Sequence, residues 1–157
     1  IKSISMSSKK PTLNFSNTQR DFANTLNKRV NEYFNLNAIS KHANLTMYVK
    51  TFCMFAAYTA PYVLILTGIL SGTWPLILAS VIMGLGMAGI GLSVMHDANH
   101  GAYANKQWLN NVIGYSLNMV GANAFNWKIQ HNLLHHSFTN VHDHDEDISP
   151  RGVLRLS

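Results

Sequence analysis

The 157-residue chain carries 12 Lys and Arg against 7 Asp and Glu, a formal net charge of +5, together with 8 His, one Cys and 47% hydrophobic residues. A single cysteine excludes an internal disulfide framework and suits a reducing, cytoplasm-facing protein. The basic residues are dispersed among Asn, Ser and Thr with no RNA- or DNA-binding motif, so no nucleic acid partner is expected, and anionic lipid matches the charge better.

Charge is distributed in three unlike parts: eight basic and two acidic residues from Lys2 to Lys50, neither kind from Thr51 to Met95, and four basic and five acidic from His96 onward. The first part, residues 1–50, reads as a cytoplasmic polar and amphipathic segment. Met6-Ser7-Ser8-Lys9-Lys10 has the form of a translation start, and no cleavable signal peptide is expected, because the first apolar run begins only after Lys50. Between about Asn14 and Asn44, Phe15, Phe22, Leu26, Val30, Tyr33 and Phe34 recur at helical intervals beside Lys28 and Arg29. Such a helix either lies on a membrane surface or packs on its own protein, and the pattern serves both readings.

Thr51 to Leu70 is apolar and, at about 1.5 Å per residue, long enough to cross a hydrocarbon core of about 30 Å. Pro61 is expected to kink this span without ending it. Ser71-Gly72-Thr73 forms a short turn, and Trp74 to Met95 makes a second span with Trp74 suited to the interface. Glycines 84, 86, 89 and 91 would let the two helices approach closely. A buried hairpin of a soluble protein is the alternative, and two adjacent charge-free runs of spanning length weigh against it. The turn has no Lys or Arg, whereas Lys41 and Lys50 precede the pair and Lys106 follows it, so both flanks are expected on the cytoplasmic side. Trp108 to Phe125 is apolar but carries Asn110, Asn111, Asn118 and Asn123, which disfavours a lipid-exposed crossing and points to an interfacial or re-entrant helix. The expected fold is all-α: an integral membrane helical hairpin, multi-pass, plus interfacial helices carrying two histidine clusters on the cytoplasmic side.

The clusters are His96-Asp97-Ala98-Asn99-His100 and His131-Asn132-Leu133-Leu134-His135-His136. Neutral imidazole is a ligand for iron, zinc or copper, and four-residue spacing puts two rings on one helical face, one turn apart. His131 and His135 repeat the spacing of His96 and His100, while His136 is expected to point about 100° away, toward a second ion. A zinc protease needs Glu after the first histidine, where this chain has Asp97 and Asn132. Asp97, Asn99, Asn132, His144 and Asp145 are candidates for orienting the rings or a polar substrate head. The acidic run Asp143, Asp145, Glu146, Asp147 reads equally well as a solvated loop.

His96-x-x-x-His100, then His131-x-x-x-His135-His136, Phe138-Thr139-Asn140 and Asp145-x-Asp147 resemble the first two histidine boxes and following segment of the membrane fatty acid desaturases. Within that family the chain is most similar to the acyl-lipid or linoleoyl-CoA branch, the front-end, delta-6-like enzymes, and Leu154-Arg155-Leu156-Ser157 also fits that branch. The resemblance runs from about Lys41 to Ser157. It implies an enzyme with two Fe ions in a non-haem di-iron centre, O2 as co-substrate, a fatty acyl-CoA or acyl-lipid substrate in membrane lipid, and two electrons from cytochrome b5 or ferredoxin. It further implies His96, His100, His131, His135 and His136 as iron ligands, with no catalytic residue beyond them; His142 and His144 fall outside the boxes. Residues 51–157 would then be the N-terminal part of the desaturase domain, ending before the family's third box, [H/Q]xxHH, and inactive alone. Residues 1–50 hold no HPGG motif, so the electron donor is expected to be a separate protein. Two other readings stand beside it: a di-iron fatty acid or alkane hydroxylase, and a membrane carrier or sensor of divalent metals.

Overall fold

The computed structural model describes residues 20–141 together with 144 and 145. Phe15, His142, Asp143, Glu146, Asp147 and the Leu154–Ser157 tail, all named above, lie outside the described residues, as does the start at Met6. Among the described residues the fold is all-α, with no strand.

Helix α1 (Arg20–Leu36) buries none of its residues. Helix α2 (Leu45–Leu66) begins six residues before the expected span, because the Asn44 side chain caps it by accepting from the Met47 N–H at 3.0 Å. Lys50 therefore lies inside the helix and does not precede it. The added turns belong with the polar end of the molecule, where the Thr51 hydroxyl meets the Tyr103 hydroxyl at 2.8 Å. Pro61 is accommodated within α2, and the helix ends at Leu66, four residues early, where Gly68 takes φ +71°.

After a turn closed by Gly72 at φ +90°, the chain forms a 27-residue helical rod, Thr73–Asn99. The rod is built from α3 (Thr73–Gly89), a π-helical stretch (Ile90–Val94) and α4 (Met95–Asn99). Both α2 and this rod are long and apolar enough to cross a membrane. At about 1.5 Å per residue the rod measures about 40 Å, so a crossing of about 30 Å leaves its last two turns, with His96, outside the hydrocarbon.

The hairpin closes on two of the four expected glycines. A Cβ on Gly86 would lie 2.6 Å from the Tyr58 backbone nitrogen, and one on Gly89 would collide with the Met54 thioether. Gly84 and Gly91 face open space, since they lie on the side of the rod turned away from α2.

The returning segment is broken into α5 (Gln107–Gly114), α6 (Ser116–Met119) and α7 (Ala124–Trp127), each too short to cross a bilayer. Their asparagines bind backbone locally. Buried Asn110 accepts from the Ala104 N–H at 2.7 Å and donates to the Gly101 and Ala104 carbonyls, while Asn118 and Asn123 accept from the Ala124 and Asn126 N–H groups. Helix α5 packs Leu109 and Ile113 beside buried Asn110 on the core side and leaves Trp108 and Val112 exposed, together with Tyr115 just past its end. That arrangement fits a helix whose outer face meets lipid. Two small cores grip the base of the rod, one joining Val94, Ala98, Tyr103 and Ala104 to Met47 and Phe55, the other joining Met95, Leu117 and Ala124 to Trp127.

Candidate metal centre

The second cluster sits on a π-helical stretch, Lys128–His135, continued by the short α8 (His136–Phe138). In it the His136 N–H reaches back five residues to the His131 carbonyl. This wider turn, beyond 3.6 residues, sets His131 between His135 and His136, so both later rings face it. The separate direction expected for His136 is thereby corrected: its centroid lies 5.0 Å from His131 and 4.9 Å from His100. A π-helical stretch also precedes the first cluster, with the Met95 N–H bonded to the Ile90 carbonyl.

The two clusters meet. His96 and His100 lie 4.5 Å apart, each 5.2 Å from His131, and His135 completes the group at 5.1 Å from His131. One nitrogen each from His96, His100 and His131 falls within a 4.8 Å group. Two nitrogens on one ion, each at about 2.1 Å, lie at most about 4.2 Å apart, so a small ring rotation closes the set.

The surroundings disfavour a charge on His100 and orient its neighbours. The pKa of His100 is lowered from 6.5 to about 4, first because crowding by its neighbours strips water from the ring and then because positive charge on His96, His131 or His136 disfavours its protonation, with Asp97 opposing. The His135 Nδ1 lies 2.9 and 3.0 Å from the two carboxylate oxygens of fully buried Asp145, which also accepts from the Asn140 N–H at 2.8 Å. This bond fixes the ring of His135 through its Nδ1. Asp97 makes a longer contact, 3.3 Å, to the Nδ1 of His96. Asn132 donates to the Asn99 carbonyl at 2.9 Å and so ties the two clusters together, while Asn99 packs against Gly114. His144 meets the Phe138 ring at 5.2 Å.

The sequence reading missed Trp127. Its ring stacks on His131 at 4.3 Å and meets His96 and His100 edge-on, each at 5.6 Å. The available signal was its position one turn before His131. Beside the cluster, Lys41, His42, Asn44, Asp97 and Tyr103 border an open pocket of about 420 Å³.

The fatty acid desaturase family model matches residues 71–156, and the chain belongs to that family. It is 34% identical over 136 residues to a protein of Arthrospira platensis named sn-1 linoleoyl-lipid 6-desaturase, covering 87% of this chain and 37% of the relative. It is 37% identical over 148 residues to an acyl-lipid (8-3)-desaturase of Physcomitrium patens, covering 89% and 29%, and 44% identical over 80 residues to an acyl-lipid (7-3)-desaturase of Diacronema lutheri, covering 51% and 18%. The chain thus spans about a third of the length of the first two relatives. No solved structure matches it.

Proposed function

We propose that the full-length protein is an acyl-lipid desaturase that introduces a double bond into a fatty acyl chain, and that this chain supplies the first two ligand clusters of its two-iron centre. The reading is carried by the convergence of five imidazoles from two segments 30 residues apart in a member of this family. The balance is one –CH2–CH2– unit, O2, two electrons and two protons giving –CH=CH– and two waters.

In this reading His96, His100, His131, His135 and His136 hold the metal, whose chemistry when bound is activation of O2 against an unactivated C–H bond. Asp145 fixes the ring of His135, and Asn132 holds the two clusters in register. Trp127 covers one face of His131 and keeps water from it. The pocket beside Asp97 has the polar lining to receive a lipid head, with the acyl chain running toward the histidines. The hairpin anchors this assembly in the bilayer as part of a multi-pass protein, with N-terminal segment and clusters cytoplasmic. Residues 51–157 form the first part of the desaturase domain, and cytochrome b5 or ferredoxin delivers the electrons.

The test is lipid analysis of cells expressing the full-length protein. Conversion of a fatty acyl chain to one with an additional double bond is expected, with loss of product in His96→Ala and His131→Ala and about two irons in the purified wild type. Oxygen retained in the product would establish a hydroxylase instead, and metal uptake with unchanged lipids a carrier.

A further inference from the structure

Among the described residues α1 is an amphipathic helix that the metal centre does not use. Its 17 residues span about 25 Å, and none is buried. At about 100° per residue, Phe22, Tyr33, Leu26 and Val30 occupy an arc of about 80°, extended by Phe34 to about 120°. Phe22 is 71% exposed and Tyr33 58%. Arg29 lies just beyond one edge of the arc and Arg20 just beyond the other. Lys28 is on the opposite side, 3.9 Å from Glu32, so that charge pair stays on the polar face.

The linker to α2 meets the helix at the Phe34 edge of the arc. Lys41 donates to the Asn31 side chain and sits over the Phe34 ring, 5.8 Å from its centroid. Among the described residues nothing buries the Phe22, Leu26, Val30, Tyr33 face, and only eight residues separate α1 from the first crossing-length helix. From Arg20 to Lys50 five basic residues face two acidic ones. An apolar arc edged by arginines, joined by a short tether to a helix that enters the bilayer, has the charge and geometry of an interfacial helix.

We propose that α1 lies in the plane of the membrane surface, with Phe22, Leu26, Val30 and Tyr33 in the acyl boundary and Arg20 and Arg29 at the phosphates of anionic lipid. The occupant of this face is lipid. The inference rests on the reading of α2 as a membrane span, which native Cys53, near the middle of that helix, tests separately.

The experiment is site-directed spin labelling of the chain in phosphatidylcholine–phosphatidylglycerol nanodiscs. Single cysteines are placed in a Cys53→Ser background by Phe22→Cys, Leu26→Cys and Val30→Cys on the arc, and by Asn24→Cys, Lys28→Cys and Asn35→Cys opposite. Collisions with oxygen and with a water-soluble nickel chelate report depth. Arc labels are expected to favour oxygen and the opposite labels nickel, with helical period. Arc labels open to nickel would overturn the proposal, and arc labels shielded from both reagents would replace lipid with protein as the occupant. A label on native Cys53 that favours nickel would refute the membrane span itself; Cys53 in lipid with α1 in water would refute only the docking of α1.

Discussion

The hairpin and the cap that returns onto its end are ordered by different means. In the hairpin the decisive contacts are steric: α2 and α3 meet where Gly86 and Gly89 remove side chains, and no residue from Thr51 to Met95 bears a formal charge. In the cap the decisive contacts are single polar atoms, with Asn110 bracing one loop, Asp145 holding His135 and Asn132 joining the clusters. Volume changes should therefore damage the hairpin, and changes of donor or acceptor should damage the cap. A centre needing several rings in fixed directions is better built from directional bonds than from apolar packing, which tolerates small rotations.

The largest expected effect on this contrast is at Asp145. Asp145→Asn keeps the volume but weakens the grip on His135, and iron affinity of the full-length protein, read by chelator competition, should fall about 10- to 100-fold. Asn110→Ala strands the Ala104 N–H and should cost about 1–3 kcal/mol in thermal unfolding. Gly86→Ala and Gly84→Ala set the same added methyl against different surroundings. The first forces α2 away and should cost about 1–3 kcal/mol, whereas the second enters open space and should stabilise by up to about 1 kcal/mol through helix propensity. Equal effects at the two glycines would remove the steric account of the hairpin.

The smallest expected effect is the pH response of the metal-free chain. The pKa of His100 is lower folded than unfolded, so the unfolded chain takes up the proton first. This contribution to stability is complete above about pH 6.5 and is lost as pH falls toward 4. Unfolding temperature measured against pH should decline in that window, and less steeply in His100→Asn.

The same division explains what the sequence makes visible. Length and absence of charge announce both long helices, because lipid-crossing length is a property of composition. Their ends were displaced: Asn44 as a cap draws α2 back past Lys50, and a π-helical stretch carries the rod on to Asn99. The histidine spacing identifies the cluster residues, yet the side-by-side facing of His135 and His136 depends on a π turn that periodicity at 3.6 does not reveal. Asp145 was legible as a candidate but its partner was not, since a loop, with no helical repeat, brings it to His135. Trp127 passes for an apolar helix residue until its ring is found stacked on His131.

Iron K-edge X-ray absorption on the purified full-length protein addresses the central claim most directly, because imidazole bound to iron has its own outer-shell scattering. Strong imidazole scattering that diminishes in both His96→Ala and His131→Ala is the expected result. Scattering unchanged by either substitution, or iron bound without imidazole, would contradict the convergence of the two clusters on one metal centre.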